Sequence, residues 1–464
     1  IMLSQKQLEE LLTRAMASEA DFAEIFEEET ESEGISLVNE DVQDVNRAVI
    51  AGAGIRLYKD LESVYAYTND MSMESLNALV DDLRDAMGRK DEGTPVELTE
   101  TVVENSHPVA TDPFEQPLEE KVNLVLRAVK AARAADERIV KVSAGFSSKK
   151  QDVQIANSKG RLVKDSRTHV RMPVTAFAQD EKSMQNGGDA PGAMKGLEFY
   201  YNDKMPEDIG REAARIALVL LKAKPAPSGE MPVIIENGFG GVIFHEACGH
   251  SLEATGVAKG MSVFAGRKGQ QIASTKVTAI DDGTIANAWG SQNVDDEGNP
   301  QRKRVLIKDG ILNEYMIDRL NGRRMKEAPS GSGRRESYKY EPTSRMSNTF
   351  IAPGTDKKED MFKDVKFGLY CRKMGGGSVN PNTGEFNFGV KEAYLIEDGK
   401  ITDPVQGATL IGSGSDILMN IDMVSDNLER AQGMCGSISG SIPTDVGQPC
   451  LRVSSITVGG TANE

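Results

Sequence analysis

The sequence predicts an α+β protein, in which an N-terminal lobe of mixed helices and strands precedes a mainly antiparallel β C-terminal lobe that carries a metal-site helix. Three observations support this fold class. Helical apolar spacing alternates with short β-branched runs in the first half of the chain. The segment Lys224–Gly229, with two prolines and a glycine, is the best candidate boundary. Asp-Gly pairs between apolar runs recur after it. We therefore predict domains at residues 1–224 and 230–464, with two subdomains as an alternative for the first, divided near residues 105–117.

In the N-terminal lobe, capping residues and apolar spacing predict the helices. Ser4 can cap a first helix, Met71–Met87 carries an apolar stripe, and a long helix follows Pro117. Pro206 suits the first position of a further helix that runs to about Ala223. Runs rich in β-branched residues predict short strands at residues 35–38, 45–50, 52–57, 64–68, 140–146, 153–156 and 170–178.

In the C-terminal lobe, turn chemistry predicts antiparallel hairpins. Asp309-Gly310 and Asp398-Gly399 each separate two apolar runs, and Asp282-Gly283 is a third pair of this kind. Such pairs favour hairpins because both residue types tolerate the positive φ values of a tight turn. We therefore expect few helices in this lobe.

Composition and charge exclude several classes of function. The chain has 464 residues, of which 54 are Lys or Arg and 71 are Asp or Glu, so its net charge is −17. A balance this acidic argues against nucleic acid as a partner, because phosphate binding needs a basic surface. The densest apolar run, Ile216–Leu221, is far shorter than the ~20 residues of a membrane span. With no signal-peptide core and only four cysteines, we expect a cytoplasmic protein.

One stretch of the N-terminal lobe is unusually acidic. Residues Glu19–Glu33 include eight acidic side chains and no basic one. We interpret this stretch as a solvated strand edge or loop, since runs of like charge usually face water. A docking surface for a basic partner is the alternative.

The sequence His-Glu-x-x-x-His, formed by His245, Glu246 and His250, lies in a helix predicted over residues 242–254. Histidines four apart lie about 40° from each other around an α-helix and can reach one metal, but a spacing of five gives about 140°. A local π-type widening would return both rings to one face. Gly249 is the residue that would permit such a distortion. The pattern therefore predicts a metal site on a deformed helix.

Glu246, next to the first histidine, could take a proton from a metal-activated water and later deliver it to a leaving amine. A catalytic zinc usually has three protein ligands, so one more is required. Spacing alone leaves five candidates open, namely Cys248, Glu253, Cys371, Cys435 and Cys450. Cys435 lies in a glycine-rich segment that we interpret as a loop. The competing hypothesis is two structural histidines on a buried helix.

The run Phe244–Leu252 resembles the metalloprotease signature of the TldD/PmbA family, in particular its catalytic TldD branch. Further stretches match in the same order along the chain: 333–338, 375–377, 392–397, 407–412, 446–449 and 457–462. The resemblance spans nearly all of the C-terminal lobe, whereas the N-terminal lobe matches in layout and has weaker motifs.

The resemblance implies a zinc-dependent metallopeptidase with one Zn²⁺ per chain. The matching positions imply His245, His250 and Cys435 as ligands and Glu246 as the catalytic acid and base, with Cys248 as a bystander. Family members act on short or unfolded peptides, in leader-peptide trimming or small-protein degradation. They form homodimers, or heterodimers with an inactive PmbA/TldE-type sister subunit. A non-catalytic binding or scaffold subunit is the alternative function.

Two other segments are candidate substrate-binding elements. Gly375, Gly376 and Gly377 could form a backbone edge that receives the peptide by strand pairing, and a flexible hairpin loop is the alternative. Arg334 and Arg335 could bind a substrate carboxylate or contact a partner subunit, and an ordinary surface ion pair is the alternative. The glycine run lacks the Lys-Ser/Thr of a phosphate loop, which argues against nucleotide binding.

Overall fold

A computed structural model describes residues 2–462 of the chain. The N-terminal lobe contains one sheet of nine strands and four α-helices. Its elements are α1 Gln5–Ala15, β1 Phe22–Val38, β2 Asp41–Lys59, β3 Glu62–Thr68, α2 Met73–Met87, β4 Thr99–Glu100, α3 Leu118–Ala134, β5 Ile139–Asn157, β6 Arg161–Arg171, β7 Val174–Gln179, β8 Met184–Asp189, β9 Gly192–Ala193 and α4 Pro206–Leu221.

The main path of this sheet runs β3-β2-β1-β5-β6-β4, and β7, β8 and β9 extend it from β5 and β6. Helices cover it in two groups. The apolar stripes of α1 and α2 pack with the first three strands, whereas α3 and α4 pack over β5 and β7. Ser4 caps α1 through a hydrogen bond from the Gln7 amide, which confirms the predicted start of that helix.

The C-terminal lobe is mainly β-structure, as the sequence predicts. Its elements are β10 Lys224–Pro225, β11 Gly229–Ile235, α5 Val242–Phe244, α6 Ala254–Val257, β12 Ala279–Asp282, β13 Lys303–Lys308, β14 Ile311–Leu312, α7 Arg319–Met325, β15 Gly333–Arg334, β16 Thr343–Ser344, β17 Asn348–Ile351, β18 Phe367–Val379, β19 Glu385–Glu397, β20 Lys400–Gln406, β21 Thr409–Ser413, α8 Gly414–Asn420, β22 Ile421–Val424, β23 Glu429–Ser437, β24 Gly440–Gln448 and β25 Leu451–Gly459. The α+β class is confirmed.

Two larger sheets enclose the core of this lobe. The eight-stranded sheet runs β10-β20-β19-β18-β11-β25-β21, with β22 paired to β25. The six-stranded sheet runs β14-β13-β12-β17-β24-β23, so that β23 is its edge strand. The buried apolar core between them includes Phe244, Ala247 and Cys248 of the motif helix. The histidine motif is therefore held inside the lobe by both sheets.

Two of the three predicted Asp-Gly hairpins are confirmed. Asp309 and Asp398 have φ values of 47° and 48° in the turns of β13–β14 and β19–β20. The third is wrong, because Asp282 ends β12 and the chain continues to Lys303 before it pairs back. There the Asp282 carboxylate accepts hydrogen bonds from the Thr284 amide and hydroxyl, which stabilise an open turn.

The interpretation of Glu19–Glu33 as a solvated edge or loop is wrong. Most of the stretch is β1, an inner strand hydrogen-bonded to β2 and β5, and several of its carboxylates are buried. Glu24 pairs with arginines, and Glu27 accepts hydrogen bonds from the Leu3 amide and Gln154. Four of its eight acidic side chains, Glu24, Glu27, Glu28 and Glu33, are buried because groups from distant segments pair with them, whereas Glu19, Asp21 and Glu29 are exposed. None of the described helices is long and apolar enough to cross a membrane.

Candidate metal centre

The motif segment is an irregular helix with three kinds of turn. The α-helical residues Val242–Phe244 lead into a π-helical turn at His245–Gly249 and a 3₁₀ turn at His250–Leu252. The amide of His250 donates to the carbonyl of His245, five residues earlier. The ring centroids of the two histidines lie 5.1 Å apart as a result. The predicted π-type widening is confirmed, although the helix predicted over residues 242–254 is interrupted at Glu253, which is extended.

Gly249 has a different role from the one we expected. Its φ and ψ are −59° and −48°, which are ordinary helical values for any residue. A Cβ at this position would lie 2.4 Å from Sδ of Met346, a fully buried side chain. Close packing against the side chain of Met346, and not backbone freedom, therefore favours glycine here.

Cys435 lies on the edge strand β23, so the interpretation of its segment as a loop is wrong. It pairs with Ile442 of β24, and its carbonyl accepts a hydrogen bond from the buried guanidinium of Arg345. Arg345 also donates to the Ser439 hydroxyl and the Gly440 carbonyl in the turn between the two strands. One arginine thus fixes both the turn and the strand that carries the thiol.

The ring nitrogens of the two histidines and the sulfur of Cys435 meet at one point. Nε2 of His245 and Nε2 of His250 each lie 3.3 Å from Sγ of Cys435, and the three atoms lie within 4.8 Å of one another. Ligands at ~2.05 Å for nitrogen and ~2.3 Å for sulfur around a tetrahedral zinc would be about 3.6 Å apart. The spacing and the chemistry of these donor atoms therefore fit a zinc ion.

Electrostatics favours the metal-binding form of the cysteine. Burial raises the pKa of the Cys435 thiol, but hydrogen bonds from His245 and His250 outweigh it and lower that pKa to about 4. Burial lowers the pKa of His250, but the Glu253 carboxylate and Cys435 together raise it well above its ordinary value. Sulfur binds metal as the thiolate, so this site holds the cysteine in the required state.

Glu253 orients one of the two histidines. Nδ1 of His250 donates to the Glu253 carboxylate at 2.6 Å, which leaves Nε2 directed at Cys435. A carboxylate on the far nitrogen is the usual support of a metal-binding histidine. Among the described residues, Nδ1 of His245 is buried without a hydrogen-bond partner, so packing and the contact of Nε2 with Cys435 hold this ring.

Glu246 lies beside the cluster and is partly accessible. Its carboxylate oxygens are 3.9 Å from Nε2 of His245 and 3.7 Å from Nε2 of His250, and its side chain is 33% exposed. A carboxylate in this position can reach a water molecule bound next to the rings.

The remaining candidate ligands lie elsewhere. Cys248 faces the carbonyl of Gly414, Cys371 is buried in the core on β18, and Cys450 lies against Met361. Burial raises the pKa of each of these three thiols, as expected for inert core cysteines. Within residues 2–462, His245, His250 and Cys435 are the one group of three His, Cys, Asp or Glu residues whose potential ligand atoms all lie within 4.8 Å of one another.

Gly375, Gly376 and Gly377 belong to β18 and not to a hairpin loop. On one side, β18 pairs with β19, with register shifts between Cys371 and Gly377. On the other side, β11 pairs only with residues 369–371. Beyond Cys371, no described strand covers that edge, and Gly376 and Gly377 are exposed. The end of the hairpin packs beside the π-helical turn, because a Cβ on Gly384 would lie 3.8 Å from the Ala247 carbonyl.

Arg334 and Arg335 are both 3% exposed, so the alternative of a surface ion pair is wrong. Arg334 donates to the carbonyl of Met346, beneath the motif helix. Arg335 donates to Glu24 of β1 at 2.9 Å, and Glu24 and Glu297 both pair with Arg56. We call Glu24, Arg56, Glu297 and Arg335 the interlobe cluster, because they join the two lobes.

Sequence reasoning missed two residues that support the metal centre. The role of Arg345 in fixing β23 left no local signal, since it depends on a contact ninety residues along the chain. Trp289 donates its indole N–H to the Gly433 carbonyl at 2.8 Å, two residues before Cys435. It is the single tryptophan of the chain, which was the only available hint.

Comparison with protein families assigns the chain along most of its length. Three domain models of the PmbA/TldA metallopeptidases match this chain. The model of domain 1 matches residues 23–87, that of the central domain matches 111–221 and that of the C-terminal domain matches 228–460. The chain belongs to the PmbA/TldD family of metallopeptidases. The resemblance noted in the sequence is thereby confirmed.

Curated members of the family cover almost the whole chain. A metalloprotease TldD homolog of Haemophilus influenzae is 38% identical over 95% of this chain and 93% of its own length. One of Buchnera aphidicola is 36% identical over 98% of this chain and 95% of its own.

Solved structures share the fold of this PmbA/TldD member. TldE from Thermococcus kodakarensis has a TM-score of 0.78 at 18% identity, over 98% of this chain and all of its own. A Thermotoga maritima protein described as a candidate modulator of a DNA gyrase has a TM-score of 0.78 at 22% identity, over 94% of this chain and 96% of its own. At such identities the likeness shows the fold alone.

Proposed function

We propose that this protein is a zinc-dependent metallopeptidase, with one Zn²⁺ per chain held by His245, His250 and Cys435. The observation that carries the proposal is the convergence of two imidazole nitrogens on one thiolate sulfur, each at 3.3 Å, beside a partly exposed carboxylate. When bound, zinc would supply Lewis acidity toward a peptide carbonyl and a lowered pKa of water.

In this proposal Glu246 handles the protons. Its carboxylate accepts a proton from the attacking water and then donates that proton to the departing amine. It can do so because it faces the metal-side nitrogens of both histidines and yet remains accessible from solvent. Glu253 holds His250 in the tautomer that has a lone pair on Nε2.

We propose short or unfolded peptides as the substrates, as in leader-peptide trimming or small-protein degradation. The free edge of β18 supports this class, because an extended peptide can add to an unpaired strand through main-chain hydrogen bonds with little demand on its sequence. The edge includes Gly375–Gly377 and ends beside the π-helical turn. Arg334 and Arg335 are not part of this binding surface in our proposal, because both are engaged inside the protein.

We further propose that the enzyme acts in the cytoplasm as a dimer, with itself or with a PmbA/TldE-type sister subunit. The proposal of a sister subunit is supported by the shared fold with TldE. The net charge of −17 disfavours nucleic acid as a partner.

The test is a Glu246→Gln variant measured for both metal and activity. We expect about one zinc per chain in the wild type and in the variant, with cleavage of an unstructured peptide lost in the variant alone. Persistent cleavage would contradict the role of Glu246. A metal-free wild type that still binds peptides would instead favour a non-catalytic scaffold subunit.

A further inference from the structure

A cavity of about 860 Å³ lies between the two lobes, next to the free edge of β18. Its N-terminal wall comes from β7, β8 and α4, and its C-terminal wall from β18, β23 and the turn at residues 238–240. Tyr370 and residues 372–374 of β18 line the cavity, which therefore spans the point after Cys371 where β11 stops pairing with β18. A peptide added to that edge would therefore enter the cavity at one end and approach the histidine motif at the other.

Three cations lie where β18 and β19 border this cavity, namely Arg372, Lys373 and Lys391. The carboxylates of Glu212 and Glu392 lie nearby, but both are already paired with Arg215. Its guanidinium donates to Glu212 at 2.8 and 2.9 Å and to Glu392 at 2.8 and 2.9 Å. These charge-assisted pairs are the strong contacts of the group.

These three cations of β18 and β19 are only loosely compensated, and the other cationic lining residues, Arg171, Lys204, Lys358 and Arg430, lie on other elements. Arg372 is 3.9 Å from Glu392 and Lys373 is 3.6 Å from Glu212, with 44% and 34% of their side chains exposed. Lys391 has no ion pair within the described chain. Together with Arg215, Glu212 and Glu392, the group has four positive charges and two negative ones, so it carries a net charge of about +2 beside the cavity.

The glycine segment positions one of these cations. A Cβ on Gly375 would lie 3.4 Å from Cγ of Lys391, so the stem of the lysine runs over this glycine towards the cavity. Of the acidic lining residues, Glu212 lies beside the cations and is paired with Arg215, and the other three lie on other walls. Glu236 is held by Lys358 and Tyr370, Asp189 is on β8, and Glu429 is on β23.

We propose that Arg372, Lys373 and Lys391 form a cationic subsite that binds the carboxylates of an acidic peptide substrate extended along β18. This inference rests on the proposed peptidase function and adds a substrate class to it. The chain as a whole has a charge of −17 and repels acidic peptides. Positive charges that line a cavity attract the carboxylates of a peptide locally, and this local attraction determines where an acidic peptide binds.

The test uses full-length, zinc-loaded protein in a Glu246→Gln background, so that bound peptide is not consumed. Two fluorescein-labelled peptides of equal length, one with three Glu and one with Gln at the same positions, are titrated and followed by anisotropy. We expect the acidic peptide to bind about tenfold more tightly at low salt. The preference should fall to about threefold in Lys391→Gln and to about one in the triple Gln variant.

Lys308→Gln is the matched control, because it removes the same charge from an exposed residue of β13 that does not line the cavity. It should keep the tenfold preference. Equal binding of both peptides by the parent protein, or an unchanged preference in the triple variant, would overturn the inference. Arg215 is retained throughout, so Glu212 and Glu392 stay paired and the variants should fold.

Cleavage by the enzyme with Glu246 intact separates this inference from the proposed function. If neither peptide is cleaved but the binding preference follows the three cations, the subsite stands and the peptidase proposal fails. If both peptides are cleaved with equal kcat/KM and the variants change nothing, the peptidase stands and the subsite is overturned.

Discussion

The metal centre and the interlobe cluster are both buried groups of polar side chains, but they are built differently. In the interlobe cluster, two arginines meet two glutamates, and Arg56 and Arg335 both pair with the carboxylate of Glu24. In the candidate metal centre, two imidazole nitrogens and a thiolate sulfur converge with no Lys or Arg side chain among them. The first group compensates its own charge, whereas the second directs three potential ligand atoms at a common point.

This difference indicates that the interlobe cluster has a structural role and that the candidate metal centre has a chemical one. Buried charges are tolerated when they are paired, and the interlobe cluster then acts as a joint between lobes. Donor atoms that point at one another are tolerated when a metal ion separates them, and binding energy then contributes to folding. Removing a residue should therefore cost stability in the first cluster and metal affinity in the second.

The largest expected effect is that of Cys435→Ser on metal content. Zinc should fall from about one per chain to below about 0.1 after dialysis, because a hydroxyl does not ionise at neutral pH as the thiol does. Elemental analysis measures this. Cys248→Ala is the control, since this buried thiol lies outside the cluster and its loss should leave zinc unchanged. Full zinc retention in Cys435→Ser would remove sulfur from the ligand set.

Arg335→Met should have the next largest effect, on folding. It leaves Glu24 buried with one partner fewer, which costs about 3–5 kcal/mol in the free energy of unfolding. Urea denaturation followed by circular dichroism measures the change. Arg211→Met breaks an exposed pair with Asp208 and should cost less than about 1 kcal/mol. Zinc content should stay near one per chain in both variants. Loss of zinc in Arg335→Met would contradict the expectation that the interlobe cluster affects stability and not metal binding.

Glu253→Gln should weaken zinc binding by about 10- to 100-fold, because the amide supports the Nδ1–H of His250 less strongly than a carboxylate. Competition with a fluorescent chelator measures the Kd. Glu246→Gln is the contrasting variant, which should keep the affinity and lose cleavage. Equal zinc affinity in Glu253→Gln and the wild type would show that packing alone orients His250.

The smallest expected effect is that of Trp289→Phe. It removes the hydrogen bond to the Gly433 carbonyl, worth about 1 kcal/mol, and so loosens β23 near Cys435. Zinc affinity should fall about threefold to fivefold in the same competition assay. Phe177→Leu, a partly exposed residue of β7, is a control for the loss of aromatic surface alone. An unchanged zinc affinity in Trp289→Phe would mean that Arg345 fixes the strand by itself.

The local parts of the site were predictable from the sequence. A spacing of five between His245 and His250 required a widened turn on geometric grounds, and the π-helical turn is present. The Asp309 and Asp398 hairpins followed from the positive φ values that their turns need. Reasoning of this kind succeeds because a few neighbouring residues determine the backbone.

The third ligand that we propose was not predictable from spacing, because Cys435 reaches the histidines only through the position of an edge strand. Gly249 was assigned the wrong cause, since its close neighbour Met346 lies almost one hundred residues away. The same limit applies to Glu19–Glu33, whose carboxylates find partners in Arg56, Lys121 and Arg335. Sequence alone thus determined the turns, the helix caps and the chemistry of the motif, which depend on adjacent residues. Tertiary structure alone decided which charges are buried and which sulfur meets the imidazoles, because those contacts join segments far apart in the chain.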